Sequence, residues 1–380
     1  MPIFTKDLAN MSKIVIASDS FKGCLTSSQI ADGVGKAVLK CIPECEVVKL
    51  AVADGGEGTV DALLTTLCGE KLSVLCSDPI GRTVSAGYAI LSDGVTAVIE
   101  MSSASGLTLL SPEERNPMFT STYGTGQIIA DALKRGCRNF LIGIGGSATN
   151  DAGMGMLEAL GWRFFDKDGH LLRGCGASLD VAAKIDSSDV MPELNDAHFI
   201  VACDVDAPLY GPAGAAYVYA PQKGADPQMV EQLDKGLRHF AEVVIAFTGN
   251  DVAQLYGSGA AGGLGSAFKA FLNADFKRGA DMVLDAMNFD EVIKCGDLVI
   301  TGEGKVDRQT LTGKLPYAVA MRAKAQSIPV IAVCGRAEID KLPEFSRICQ
   351  VTPHAMPLEE AMKPDTAIRN IESALAGVLI

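Results

Sequence analysis

Asp297-Leu298-Val299-Ile300-Thr301-Gly302-Glu303-Gly304-Lys305-Val306-Asp307 is an apolar run that stops abruptly in a junction of glycines, acids and one lysine. A strand that is apolar at every position, not at alternate ones, is buried on both faces, as in a parallel sheet covered by helices. Working outward, runs of the same kind fall at 14–17, 47–52, 140–144 and 330–333, each ending in Gly, Asp or Ser. Helical stretches fit between them. One follows the first run at 27–39, one at 122–135 is closed by Gly136 in a C-cap position, and one at 318–326 precedes Ile328-Pro329. Strands alternating with helices predict an α/β protein with a mainly parallel, doubly wound sheet.

Two stretches break this rhythm. Residues 71–110 alternate, with turn signals at Asp78-Pro79, Gly81 and Ser92-Asp93-Gly94, and predict antiparallel hairpins. Residues 162–220 mix strand, Gly-rich loop and short helix. At 380 residues the chain is long enough for two domains. The expected division is a discontinuous first domain of 11–70, 119–160 and 290–380, with a second α/β domain inserted as 71–118 and 161–289. Residues 1–10 read as an N-terminal extension, because the first strand starts just after Met11.

Composition narrows the function. The formal charge is −13 and no Lys/Arg stripe exists, so nucleic acid and anionic membrane surfaces are not expected partners. Eleven cysteines without a C-x-x-C fit small buried hydrophobes in a reducing, cytoplasmic setting. There is no G-x-x-x-x-G-K-[ST], no H-R-D or D-F-G, and no G-x-S-x-G. P-loop enzymes, protein kinases and α/β-hydrolases are excluded on that ground.

What remains is a set of junctions at strand ends, where open α/β sheets bind ligands. Asp19-Ser20-Phe21-Lys22-Gly23 follows the first strand. In Ala53-Asp54-Gly55-Gly56-Glu57-Gly58-Thr59, the acids Asp54 and Glu57 offer hard oxygens for magnesium or a base. Gly143-Ile144-Gly145-Gly146-Ser147-Ala148-Thr149-Asn150-Asp151 precedes a helical stretch at 153–160 and reads as a phosphate cradle. The same segment also satisfies a dinucleotide fingerprint through Gly143, Gly145 and Ala148, with Asp166 near the distance of a ribose-binding acid. Cys203-Asp204-Val205-Asp206 and the opening stretch add further acids. Many carboxylates with a few lysines is what magnesium-dependent phosphoryl transfer requires. His170, His198, His239 and His354 lie outside all of these junctions and read as surface or satisfied core residues.

Taken together the chain resembles the type I glycerate kinase family. The matching motifs are DSFKG (19–23), ADGGEGT (53–59), DPIGR (78–82), TSTYGTG (120–126), GIGGSATNDAG (143–153), CDVDAPL (203–209), PQKGA (221–225), GAAGGLG (259–265) and TGEGKVDRQTLTGKLP (301–316). The resemblance implies a flavodoxin-like domain interrupted by a second one, ATP and magnesium as cofactors, D-glycerate as small-molecule acceptor, and 2-phosphoglycerate as product. Departures from the family pattern include Cys24, Ala152, Asp206-Ala207 and Gly335-Arg336.

On this reading Gly145, Gly146, Ser147 and Asn150 bind phosphate. Asp54, Glu57, Glu303 and Asp307 supply metal or supporting oxygens. Lys22, Lys305 and Lys314 neutralise phosphate or the acceptor carboxylate, with Arg82 a further substrate contact. One of Asp19, Asp151 and Asp204 is the base, and the sequence does not choose among them. Two other readings stand beside this one: an NAD-dependent hydroxy-acid dehydrogenase and a non-catalytic sugar-acid sensor. Whether the chain forms a homo-oligomer is left open.

Overall fold

The computed structural model describes residues 11–56, 58–339 and 341–379, without the side chains of Gln309 and Thr312. The expected extension 1–10 and the expected metal ligand Glu57 lie outside the described residues. In chain order the strands are β1 (Lys13–Ser18), β2 (Glu46–Ala51), β3 (Gly69–Ser77), β4 (Thr83–Leu91) and β5 (Thr96–Glu100). They continue with β6 (Asn139–Gly143), β7 (Arg163–Phe165), β8 (Leu171–Leu172), β9 (Lys184–Asp186) and β10 (His198–Ala202). The last four are β11 (Asp275–Lys277), β12 (Leu298–Val306), β13 (Val330–Ala337) and β14 (Arg347–Gln350).

The chain divides into two compact units. The first takes the residues up to Asp54, Asp61–Leu67 and those from Arg278 onward. Its sheet has five strands in the order β14-β13-β12-β1-β2, all parallel. Counted along the unit this is 2-1-3-4-5, the flavodoxin-like order, and the winding reverses between β1 and β12. The opening stretch lies at this switch: Leu298, Val299 and Ile300 are completely buried beside Ile14, Val15 and Ile16. After β1 the chain enters the helix Ser27–Cys41, whose Thr26 and Gln29 form a capping box. Ser27 then ties two strand ends together. Its hydroxyl donates to the Ser18 carbonyl at 2.6 Å and accepts from Val52 N at 2.8 Å.

The second unit comprises Gly55–Val60 and Cys68–Lys277. Its main sheet has six strands in the order β11-β10-β6-β5-β4-β3. The strands β11, β10, β6 and β5 pair in parallel, while β4 and β3 form the antiparallel hairpin anticipated for 71–110. A small antiparallel sheet, β8-β7-β9, lies in the same unit. Phe140 stacks on Phe199 at 4.7 Å, and Trp162 meets Phe271 edge-on at 5.5 Å.

The expected division therefore needs correction in three places, the smallest being that Gly55–Val60 and 68–70 fall in the second unit. Residues 119–160 were assigned to the first domain, but β6 is hydrogen-bonded between β5 and β10 and belongs to the second unit. An apolar run reports burial on both faces and carries no label for which sheet buries it. At the far end, 278–289 belongs with the first unit, not with the insertion. Among the described residues no helix is long and apolar enough to cross a membrane.

Candidate functional site

In the first unit a cleft of ≈ 620 Å³ lies at the carboxyl ends of the strands. Asp19, Lys22, Asp54, Glu303, Lys305, Asp307 and Lys314 all line it. Seven residues from three separate stretches thus meet at the reversal between β1 and β12, where open sheets of this kind take their ligands. The backbone explains the convergence. Asp19 N donates to the Gly302 carbonyl at 2.9 Å, which sets the end of β1 against β12. Gly302 itself tolerates no side chain, since a Cβ there would lie 2.1 Å from the Val333 carbonyl oxygen.

The acids are held in different ways. Asp19 is half-buried, and burial followed by the Asp54 charge pushes its carboxyl up to about 6. Ser20 N donates to it at 2.7 Å, which opposes the rise. Glu303 is also raised, chiefly by burial, although Thr310 Oγ1 donates to it at 2.6 Å and Lys314 Nζ lies 3.3 Å away. Lys22 pairs with Asp54 at 3.6 Å, and Lys305 lies 3.4 Å from Asp307 and 2.9 Å from Glu338. Lys22 and Lys305 are exposed, so water screens these pairs and leaves both cations able to turn toward an incoming anion. Carboxylates that disfavour their own ionisation are matched to a cation with hard oxygen ligands, and magnesium fits that donor set.

Sequence reasoning missed several residues of this cleft, two of them ionisable. Arg336 and His354 both line it, from the end of β13 and the segment after β14. Gly335-Arg336 was visible only as a departure from the family pattern. His354 stands after the last, polar-edged strand, where no motif marked it.

The second unit holds the Gly143–Asp151 loop, and here the expectations need correction. The helix after the loop is only Met154–Ala159, with Gly153 as its N-cap in a left-handed conformation. Its first N–H groups are already taken. Asp151 accepts from Gly153 N and Gly155 N at 3.2 Å each, and from Thr122 N and Oγ1 at 2.8 Å each. Asp151 is fully buried with both carboxylate oxygens engaged, as a structural acceptor is. Its carboxylate fills the place at the helix start where a phosphate was expected. The dinucleotide reading fails on the same geometry, because ten residues of loop separate β6 from that helix. Asp166, its supposed ribose ligand, instead closes a turn by accepting from Asp168 N and His170 N.

Gly145 and Gly146 remain exposed at the turn. Ser147 and Asn150 are buried. Behind the turn stands Lys223, which belongs to the motif PQKGA but to which no role was assigned from sequence. Its Nζ donates to Ser147 Oγ at 2.8 Å and to the Thr149 carbonyl at 2.6 Å. Burial pushes its pKa down to about 7, against the opposing pull of Asp151. The Asn150 amide and the Thr149 hydroxyl have no hydrogen-bond partner among the described residues.

Arg82 does not present a free guanidinium. It pairs with Asp78 at 2.5 Å and Glu114 at 2.7 Å, and donates to the Leu109 carbonyl at 3.1 Å. Asp78 is buried, and its other oxygen caps the turn through Ile80 N and Arg82 N. A substrate contact from Arg82, the role expected of it, would have to displace these partners. Asp204 is exposed on the loop after β10.

The chain matches the model of the glycerate kinase family over residues 14–379. It is 45% identical over 370 residues to a protein named glycerate kinase from Halalkalibacterium halodurans, covering 95% of this chain and 97% of that one. It is likewise 45% identical over 323 residues to a protein named glycerate 2-kinase from Escherichia coli, covering 85% of each. The crystal structure of a candidate glycerate kinase 2 from Salmonella typhimurium LT2 superposes with a TM-score of 0.90 at 40% identity, covering 97% of this chain and 98% of that one.

Proposed function

This chain belongs to the glycerate kinase family and is a kinase with ATP as co-substrate, and we propose that it phosphorylates D-glycerate to 2-phosphoglycerate in the cleft of its first unit. The observation that carries the placement is the gathering of Asp19, Asp54, Glu303 and Asp307 with Lys22, Lys305 and Lys314 in one cleft at the sheet's switch point.

Phosphoryl transfer needs positioning, neutralisation of the phosphate oxygens and a base for the acceptor hydroxyl. Asp19 is the base in this proposal. Of the three acids considered it alone lines the cleft, and its carboxyl near 6 suits proton transfer around neutral pH. Lys22, Lys314 and Arg336 face the same space and balance the phosphate and carboxylate charges. Asp54, Glu303 and Asp307 would hold magnesium, which when bound neutralises charge on the phosphate oxygens. Gly145 and Gly146 keep a proposed role as backbone contacts to an anionic ligand, with Lys223 fixing the turn behind them. A cytoplasmic setting fits eleven cysteines that are all free thiols.

An ADP-release assay with D-glycerate and Mg-ATP, with the two phosphoglycerate isomers separated, tests this reading. ADP formation with the 2-phosphate as product is expected. A 3-phosphate product overturns the assigned hydroxyl, and no turnover of D-glycerate overturns the acceptor.

A further inference from the structure

The cleft of the first unit has a second half that the acids and lysines do not explain. Beyond β14, past Thr352 and His354, its wall turns apolar with Met356, Leu358, Ala361 and Met362. Leu358 is 76% exposed and Met362 37% exposed, so this wall faces water. A leucine and a methionine left bare at a cleft wall forgo the stabilisation that covering apolar surface brings, on the order of 25 cal/mol per Å². The wall is nevertheless well fixed. Met362 N donates to the Leu358 carbonyl at 2.9 Å, and Asn370 Nδ2 lies 3.4 Å from Met356 Sδ.

The apolar half adjoins the charged half directly. A Cβ built on Gly23 would meet Met362 Cε at 3.4 Å, so Met362 packs against the backbone next to Lys22, and Lys22 pairs with Asp54. A ligand that fills the whole cleft must therefore be polyanionic at one end and broad and apolar at the other. The volume of ≈ 620 Å³ lies in the range of small-molecule and cofactor sites. Glycerate does not meet the description, because a three-carbon hydroxy acid has almost no apolar surface with which to cover two bare side chains. A purine nucleotide does. Thioether and leucine side chains make a polarizable, adaptable surface for a flat ring.

We propose that Met356, Leu358 and Met362 form the seat of the adenine ring of ATP, with the phosphates directed toward Lys22, Lys305 and Lys314 and toward the magnesium that Asp54 and Glu303 would hold. The assignment rests on the phosphate-binding reading of the same cleft. It implies that the segment after β14, and not a glycine-rich loop, sets nucleotide affinity.

Leu358→Asp and Met362→Asp test it, since both positions are exposed and a charge there disturbs little of the core. The readouts are the KM for Mg-ATP, the KM for D-glycerate, and inhibition by the magnesium complex of inorganic tripolyphosphate, which carries the phosphates without the purine. Melting without ligand checks that both variants fold. Expected is a rise of about 10-fold or more in the ATP KM, with the glycerate KM and tripolyphosphate inhibition within about 2-fold of wild type; Leu358→Met should restore ATP affinity. An unchanged ATP KM in both folded variants overturns the adenine seat while Asp54→Asn can still weaken tripolyphosphate, which keeps the phosphate reading. If tripolyphosphate does not compete with ATP and Asp54→Asn leaves it unaffected, the phosphate reading fails, and the adenine seat with it.

Discussion

Replacing Lys223 with methionine should change how the stability of the second unit depends on pH. Methionine keeps an unbranched side chain one atom shorter and removes the ammonium. Wild-type Lys223 falls from an ordinary value of 10.5 to about 7, mainly through burial. At 1.36 kcal/mol per unit, holding the charged form there costs roughly 5 kcal/mol relative to the neutral form, as an order of magnitude. Below about pH 7 both folded and unfolded chains hold the proton, and the cost is fully felt. Between about 7 and 10.5 the unfolded chain holds more protons than the folded one, so wild-type stability rises with pH. Over about pH 7.5 to 9.5 the linkage gives a gain of roughly 2–3 kcal/mol that the methionine variant lacks. The loss of the bonds to Ser147 and Thr149 adds an offset but no slope. Trp162 is the only tryptophan and is buried in the second unit, so its fluorescence in urea follows that unit. Wild-type and variant stabilities that run parallel across this window, within about 0.5 kcal/mol, would refute the assignment of a destabilised buried ammonium.

Asp151→Asn should cost at least about 2 kcal/mol, because an amide cannot accept from all four donors that meet this carboxylate. A variant that melts like wild type but has lost turnover would return Asp151 to the position of base. Arg82→Ala should lower the melting temperature while leaving the D-glycerate KM unchanged, since its partners are Asp78 and Glu114; a KM raised by about 10-fold or more would restore it as a substrate contact. Gly126→Ala would put a Cβ 2.4 Å from the Met156 carbonyl oxygen and 2.7 Å from the Ala159 Cβ. Unfolding measurements should show a loss of about 1–3 kcal/mol or more, and a neutral result would mean that the two helices separate easily.

The parallel strands of the first unit were readable because burial on both faces writes a continuous apolar run, as in Leu298–Ile300 and Ile14–Ile16. The acids of the cleft were readable because each sits just past such a run. The sheet to which β6 belongs was not readable, since Phe140–Ile142 would look the same in either unit. Asp151 and Arg82 show a different limit. Their residue types and motifs suit catalysis equally well, and only Thr122, Gly155, Asp78 and Glu114 around them reveal that their charges are already used. Lys223 was missed because a buried lysine and a solvated one are the same letter. The apolar wall of Met356, Leu358 and Met362 lies in a segment with no motif, and its meaning comes only from its place beside Lys22 and Gly23.

The measurement that bears most directly on the cleft is turnover against magnesium concentration for Asp54→Asn and Glu303→Gln, with melting of the ligand-free proteins alongside. Both substitutions keep shape and remove one negative charge from the group that includes Asp19 and Asp307. The account predicts a raised magnesium requirement and a fall in turnover of about 10²-fold or more. Ligand-free melting should hold or rise, because Asp54 and Glu303 both push up the Asp19 carboxyl when no cation is present. Wild-type magnesium dependence and turnover in both variants would contradict it.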